Sequence, residues 1–91
     1  MVQEIELVLK ETIVDCRFLN DIQLNQQENL LQQIKDATIL GNSHRTKVTI
    51  IFQDDTGIKR VDTTIWASGA KFICLKGGLW IPINRIIEIL I

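Results

Sequence analysis

The sequence predicts an α+β protein: a small five-stranded antiparallel barrel over residues 47–91, preceded by one or two helices within residues 1–40. Three observations carry this. Apolar residues alternate with polar ones at a period of two after Lys47, as a half-buried strand requires. Turn signals punctuate that run at Asp54-Asp55-Thr56-Gly57, Ser68-Gly69 and Gly77-Gly78. Before residue 37 the apolar spacing is instead three and four, the period of a helix with one buried face.

The strands follow in order. The first is Lys47 to Phe52, with Val48, Ile50 and Phe52 on one face and Thr49, Ile51 and Gln53 on the other. The second returns from Ile58 to Ala67, with Val61, Thr63, Ile65 and Ala67 alternating against Arg60, Asp62, Thr64 and Trp66. A third runs Lys71 to Lys76, a fourth Leu79 to Ile83, and Ile86 to Ile91 closes the set. Pro82 is the only proline; it has no N–H for a ladder, so Pro82-Ile83-Asn84-Arg85 reads as a single 3₁₀ turn between the last two strands. Upstream, Val2, Ile5, Leu9, Ile13 and Cys16 form a helical stripe over residues 2–19, and Leu7, Val14 and Phe18 a second, opposite one. Ile5, Leu7 and Leu9 also alternate, which is the competing, extended reading. Asn20 is placed to cap a second helix to about Lys35, with Leu24, Gln27, Leu30, Leu31 and Ile34 inward. Gly41-Asn42 then either ends that helix or follows a short strand Ala37–Leu40.

The chain's 91 residues fit one domain, and 46% hydrophobic content argues against disorder. Cys16 and Cys74 stand far apart within apolar patterns, as reduced, buried thiols do. No basic-then-apolar leader opens the chain and no apolar run approaches the ~20 residues that span a bilayer, so a cytoplasmic protein is expected, with no membrane partner. Charge is unevenly divided: residues 1–40 hold seven acids against three bases, residues 41–91 four acids against seven bases. That asymmetry fits an anion-binding half, or two halves that dock on each other.

Five strands with a short turn between the fourth and fifth resemble the SH3-like or Sm-like small barrel. Trp80-Ile81-Pro82-Ile83-Asn84-Arg85-Ile86 is similar to the proline-containing turn near the end of SH3 domains, and a helix before the first strand looks more like the Sm arrangement. The string Thr63-Thr64-Ile65-Trp66, Leu75-Lys76-Gly77-Gly78 and Ile81-Pro82-Ile83 also resembles small uncharacterised bacterial proteins of similar length, a likeness that brings no activity with it. Tyr is absent, and with it the aromatic pair with which SH3 domains grip proline-rich peptides; the acidic loop is missing too. The Asp and Asn of the Sm RNA-binding loop have no counterparts at matching places. Neither family's function therefore carries over.

Among candidate sites, Asp55-Thr56-Gly57 spells the aspartic-protease signature, but Lys59-Arg60 puts charge where that fold needs apolar packing, and a polar hairpin tip explains the residues. His44 is the only histidine and sits in a polar connector; neither it nor the cysteines has metal-site spacing, so no metal and no cofactor are expected. No nucleophile–base pair is present, which points away from an enzyme. The cations Arg45, Lys47, Lys59, Arg60, Lys71, Lys76 and Arg85 are the leading functional candidates. Of these, Arg45, Lys47, Arg60 and Lys71, if grouped around Trp66 on a sheet face, make a surface for single-stranded nucleic acid (RNA), by phosphate neutralisation and base stacking. The plainer reading makes them the wet side of a sheet, with Trp66 covered by the N-terminal helices. Ile86 and Leu90 lie in a last strand apolar on both faces, which wants covering by helices or by a second subunit. With Leu7, Val14 and Phe18 they are the candidates for homodimer formation. The reading that results is a non-enzymatic, self-associating binding or scaffolding module, with nucleic-acid binding as the alternative and a protease as a distant third.

Overall fold

The computed structural model describes residues 5–9, 12–13, 16–19, 24 and 26–91. The fold is α+β; the described residues form one α-helix and seven strands in two sheets. In chain order these are β1 (Glu6–Val8), α1 (Leu30–His44), β2 (Val48–Gln53), β3 (Ile58–Thr63), β4 (Ile65–Ser68), β5 (Phe72–Leu75), β6 (Leu79–Pro82) and β7 (Ile86–Leu90). One sheet has the order β1-β3-β2-β7, the other β4-β5-β6.

The alternation in β2 holds: Val48, Ile50 and Phe52 are buried, while Thr49, Ile51 and Gln53 are half-buried on the outer side. The second expected strand differs. It breaks at Thr64, which is 4% exposed, so that β3 stays in the four-stranded sheet and β4 enters the other. The Thr64 carbonyl accepts the Lys76 N–H at 2.9 Å, pinning the bend to the end of β5. Gly77 and Gly78 take φ of 94° and 82°, which only glycine adopts freely, and so turn β5 into β6 within two residues. Pro82 ends β6, an edge strand where its missing N–H costs nothing, and the 3₁₀ turn falls at Ile83–Arg85. β7 then returns to pair antiparallel with β2.

The N-terminal half departs from its helical reading. Within residues 2–19 the described residues hold β1, a 3₁₀ turn at Thr12 and Ile13, and irregular chain at residues 16–19. The extended alternation wins because β3 offers a partner: β1 pairs parallel to it, placing Val8 beside buried Val61 and Leu7 beside exposed Arg60. A strand ladder and core contact outweigh a weak helical period. Val14 and the proposed cap Asn20 lie outside the described residues.

The helix of the fold starts at Leu30 and runs past Gly41 to His44, so Ala37–Leu40 is helical and Gly41 does not terminate it. Its buried residues, Leu30, Ile34, Ala37 and Gly41, recur at steps of four, three and four; burial of the Leu and Ile contributes about 1.5–3 kcal/mol each. Leu31, expected inside, is exposed. Thr38 tolerates the helix by donating its hydroxyl to the Ile34 carbonyl at 2.7 Å. Gly41 has a packing role: a Cβ there would meet the Ile65 carbonyl oxygen at 2.3 Å and Thr64 Cγ2 at 2.9 Å, so only glycine lets α1 lie directly on β4. The left-handed residue that closes the helix is Arg45, at φ 53°.

α1 packs on β4 of one sheet and β7 of the other, covering the gap between them. The core beneath comprises Val48, Ile50, Phe52, Val61, Ile65, Ile73, Leu75, Ile81, Ile86 and Ile89 from the strands. Ile86 is fully buried within the subunit and belongs to this core, not to a self-association surface. Phe18 is half-buried, its ring 6.1 Å from that of Phe52. The free edge of β7 is also occupied within the chain. The Ile87 carbonyl accepts the Gln27 N–H at 3.1 Å, the Ile86 carbonyl accepts Gln26 Nε2 at 2.7 Å, and the Ile89 N–H reaches Gln33 Oε1 at 3.4 Å. The glutamines of this stretch thus blunt an edge that would otherwise invite another strand.

Candidate functional site

The inner face of the three-stranded sheet is aliphatic: Ile65, Ile73, Leu75 and Ile81 are fully buried. Alternation sends Trp66, Phe72 and Trp80 to the outer side, where they remain 47%, 45% and 55% exposed. Phe72 and Trp80 meet edge-to-face with centroids 6.5 Å apart. The register sets Cys74 beside Trp80 and Phe72 beside Pro82, so β5 and β6 present one continuous apolar strip. Trp66 is thus half exposed rather than buried under a cover, and three half-exposed rings on so small a sheet are an open platform.

Cations stand at both ends of it. A cleft of about 350 Å³ between the last turn of α1 and β4 is lined by Trp66, Arg45, Lys76, Asn42 and Thr64. At the other end a cleft of about 470 Å³ brings Lys71 together with Phe72, Pro82 and Asn84. No acidic residue occurs between Asp62 and Glu88, so every charge carried by β4, β5, β6 and their connections is positive.

The site residues named from sequence are divided by the fold. Arg45 and Trp66 share the first cleft and Lys71 lines the second. Arg60 lies on β3, in the other sheet, opposite Ile51 and Leu7. Lys47 is exposed in the connector before β2. Phe72 was not among the residues singled out from sequence; Lys76 was named there only as one of the cations, and Trp80 without a place beside Trp66. The signal was present in the alternation of Phe72 and Cys74 against Ile73 and Leu75, and in the acid-free stretch itself.

The Asp55-Thr56-Gly57 motif lies at the tip of the β2–β3 hairpin, and both its own carboxylate and that of Asp54 before it are engaged. Asp54, 1% exposed, accepts the Thr56 N–H at 2.9 Å, the Thr56 hydroxyl at 2.8 Å and the Gly57 N–H at 3.0 Å, and forms an ion pair with Lys59. Burial pushes this carboxyl up, but the hydrogen bonds from Lys59 and Thr56 and the Lys59 charge outweigh it and hold the pKa at about 2, against an ordinary 3.8. A depressed carboxylate stabilises the fold above its unfolded pKa and loses that contribution as pH falls through the folded one. Stability attributable to Asp54, on the order of 2 kcal/mol, is therefore expected to vanish between pH 3.8 and about 2. Urea midpoints measured across that range should fall steeply in the native protein and less steeply in Asp54→Asn; parallel curves would contradict the assignment.

Asp55 faces the other way. Its Oδ1 accepts Arg85 Nη2 at 2.9 Å and its Oδ2 accepts the Leu19 N–H at 2.9 Å, while its own N–H donates to the Arg17 carbonyl at 2.8 Å. Arg85, 2% exposed, also donates to the Gln53 carbonyl at 3.1 Å and lies 5.7 Å from the centre of the Phe18 ring. The pair ties residues 17–19, the hairpin tip and the 3₁₀ turn into one knot. Cys16 and Cys74 are both half-buried rather than fully buried. Comparison with protein-family models, curated proteins and solved structures found no match.

Proposed function

We propose that this chain is a non-enzymatic binding module that holds single-stranded nucleic acid on the outer face of the β4–β5–β6 sheet. The observation that carries the reading is the coincidence of three half-exposed rings with flanking cations on strands and turns that themselves carry no acid. Rings accept any base by stacking, and Arg45, Lys76 and Lys71 meet the phosphates on either side. A neutral protein partner would use the rings alike but gives no reason for the one-signed charge, which favours the nucleic acid over a scaffolding role. The engaged carboxylates of Asp54 and of Asp55 in the Asp-Thr-Gly motif support a structural rather than a catalytic hairpin.

The same reading takes the strands after residue 47 as a small SH3-like or Sm-like barrel. The bend at Thr64, the 3₁₀ turn between β6 and β7 and the return of β7 to β2 support that plan. It also places the protein in the cytoplasm, where single-stranded RNA is plentiful.

The test is a titration of a labelled single-stranded RNA, followed by fluorescence anisotropy at several salt concentrations. Binding should be tightest at low salt, with a log–log slope of about −2 if three cations neutralise phosphates at roughly −0.7 each. Absence of binding at low ionic strength, where the electrostatic contribution is greatest, removes the proposal.

A further inference from the structure

The opposite face of the molecule, the outer side of the four-stranded sheet, has a different chemistry. Ladder pairing puts Leu7, Arg60, Ile51 and Glu88 in one row across β1, β3, β2 and β7. Leu7 is 55% exposed; Leu90, two residues on from Glu88 on β7, is 47% exposed. Leu9 and Ile91 extend the apolar fringe on their respective sides and are exposed as well. Arg60 and Glu88 flank Ile51, and neither is in an ion pair among the described residues. Asp62 lies on this face too, its carboxylate taken by the Thr49 hydroxyl at 2.7 Å. Charges of both signs make this face a poor surface for a polyanion.

We propose that a second copy of the chain docks here, sheet face on sheet face. The row is complementary to itself. A two-fold axis in the interface plane, running along β2 over Ile51, exchanges the positions of β3 and β7. It sets Ile51 against its own copy and Arg60 against the partner's Glu88, twice by symmetry. It also carries the apolar fringe of β1 over the partner's β7 side, where Leu90 and Ile91 are exposed. Facing sheets pack about 10 Å apart, a gap these side chains span. Edge-to-edge extension through β7 is excluded by the Gln26, Gln27 and Gln33 contacts, so stacking is the route left to β7. The dimer would leave both aromatic platforms open on its outer sides, and the inference stands whether or not those platforms bind nucleic acid.

Sedimentation velocity on the full chain, without nucleic acid, tests it. The native protein should dimerise in the micromolar range. Arg60→Glu and Glu88→Arg should each raise the dimer dissociation constant on the order of 100-fold, since each reverses a charge pair present twice. The double variant carrying both substitutions should restore the native constant. Far-UV circular dichroism on each variant confirms folding, and Leu7→Lys, which alters no charge pair, should weaken the dimer independently. A native chain that stays monomeric at high micromolar concentration overturns the proposal. So does a dimer indifferent to both single charge reversals, or a double variant that fails to recover.

Discussion

Asp55→Ala is expected to destabilise the protein by about 3–5 kcal/mol, the range seen when one partner of a buried ion pair is deleted. The reason lies in what remains. Arg85 stays 2% exposed with its guanidinium charged, and it loses the carboxylate oxygen 2.9 Å away. The same substitution releases the Leu19 N–H and loosens residues 17–19 from the hairpin. A domain of this size is stable by only about 5–15 kcal/mol, and each kcal/mol moves its melting midpoint by about 4–8 °C. A fall on the order of 15 °C or more should therefore appear in a thermal melt. Replacing both charges, Asp55→Ala with Arg85→Met, should recover much of the loss, because methionine fills the channel against Phe18 without a charge to desolvate. A single variant within about 1 kcal/mol of the native protein would show that the pair is peripheral to the fold.

Loss of the two indoles should nearly abolish nucleic-acid binding while leaving the fold intact. Trp66 and Trp80 are about half exposed, so Trp66→Ala and Trp80→Ala remove little from the core. Stacking on one ring is worth about 1–3 kcal/mol per base, so each substitution should weaken binding roughly 5- to 150-fold, and the pair together more. Trp80→Ala also removes the edge partner of Phe72, which adds to its effect. Anisotropy titrations at low salt, with the melting midpoint as control, read both halves of the expectation. Unchanged affinity in the double variant would leave the platform without a role in binding.

The parts of this fold governed by local rules were legible in the sequence. Val48, Ile50 and Phe52 alternate because one face is buried, and the positive φ of Gly77-Gly78 permits the tight turn expected there. Pro82 stops a ladder whatever its surroundings. The failures arose where a distant partner decides. Ile5, Leu7 and Leu9 satisfy a strand, yet Ile5 and Leu9 also fall on one helical stripe and Leu7 on the opposite one; β3 settles the matter by pairing with β1. Gly41 looks like a helix terminator until the Ile65 carbonyl is found where its Cβ would stand. Leu30 and Ile34 carried the helical period in the sequence, and Ala37 and Gly41 continue it through the glycine that looked like its end.

The candidate site was legible in halves. Trp66 with Arg45 and Lys71 could be named from composition, but Phe72 and Trp80 join them only through the register of β5 and β6. Arg60 was lost from the set because the bend at Thr64 sends β3 and β4 into different sheets. The burial of Arg85 had no local signal, since Gln53, Asp55 and Phe18 are remote from it in the chain.

The central claim, that the β4–β5–β6 face is where this protein binds, has a built-in reporter. The chain holds two tryptophans, Trp66 and Trp80, and both lie on that face. Intrinsic fluorescence should be quenched on titration with single-stranded RNA, saturate with the binding isotherm, and recover on addition of salt. Emission that stays constant through full saturation of a labelled RNA would place the nucleic acid elsewhere on the molecule and contradict the account.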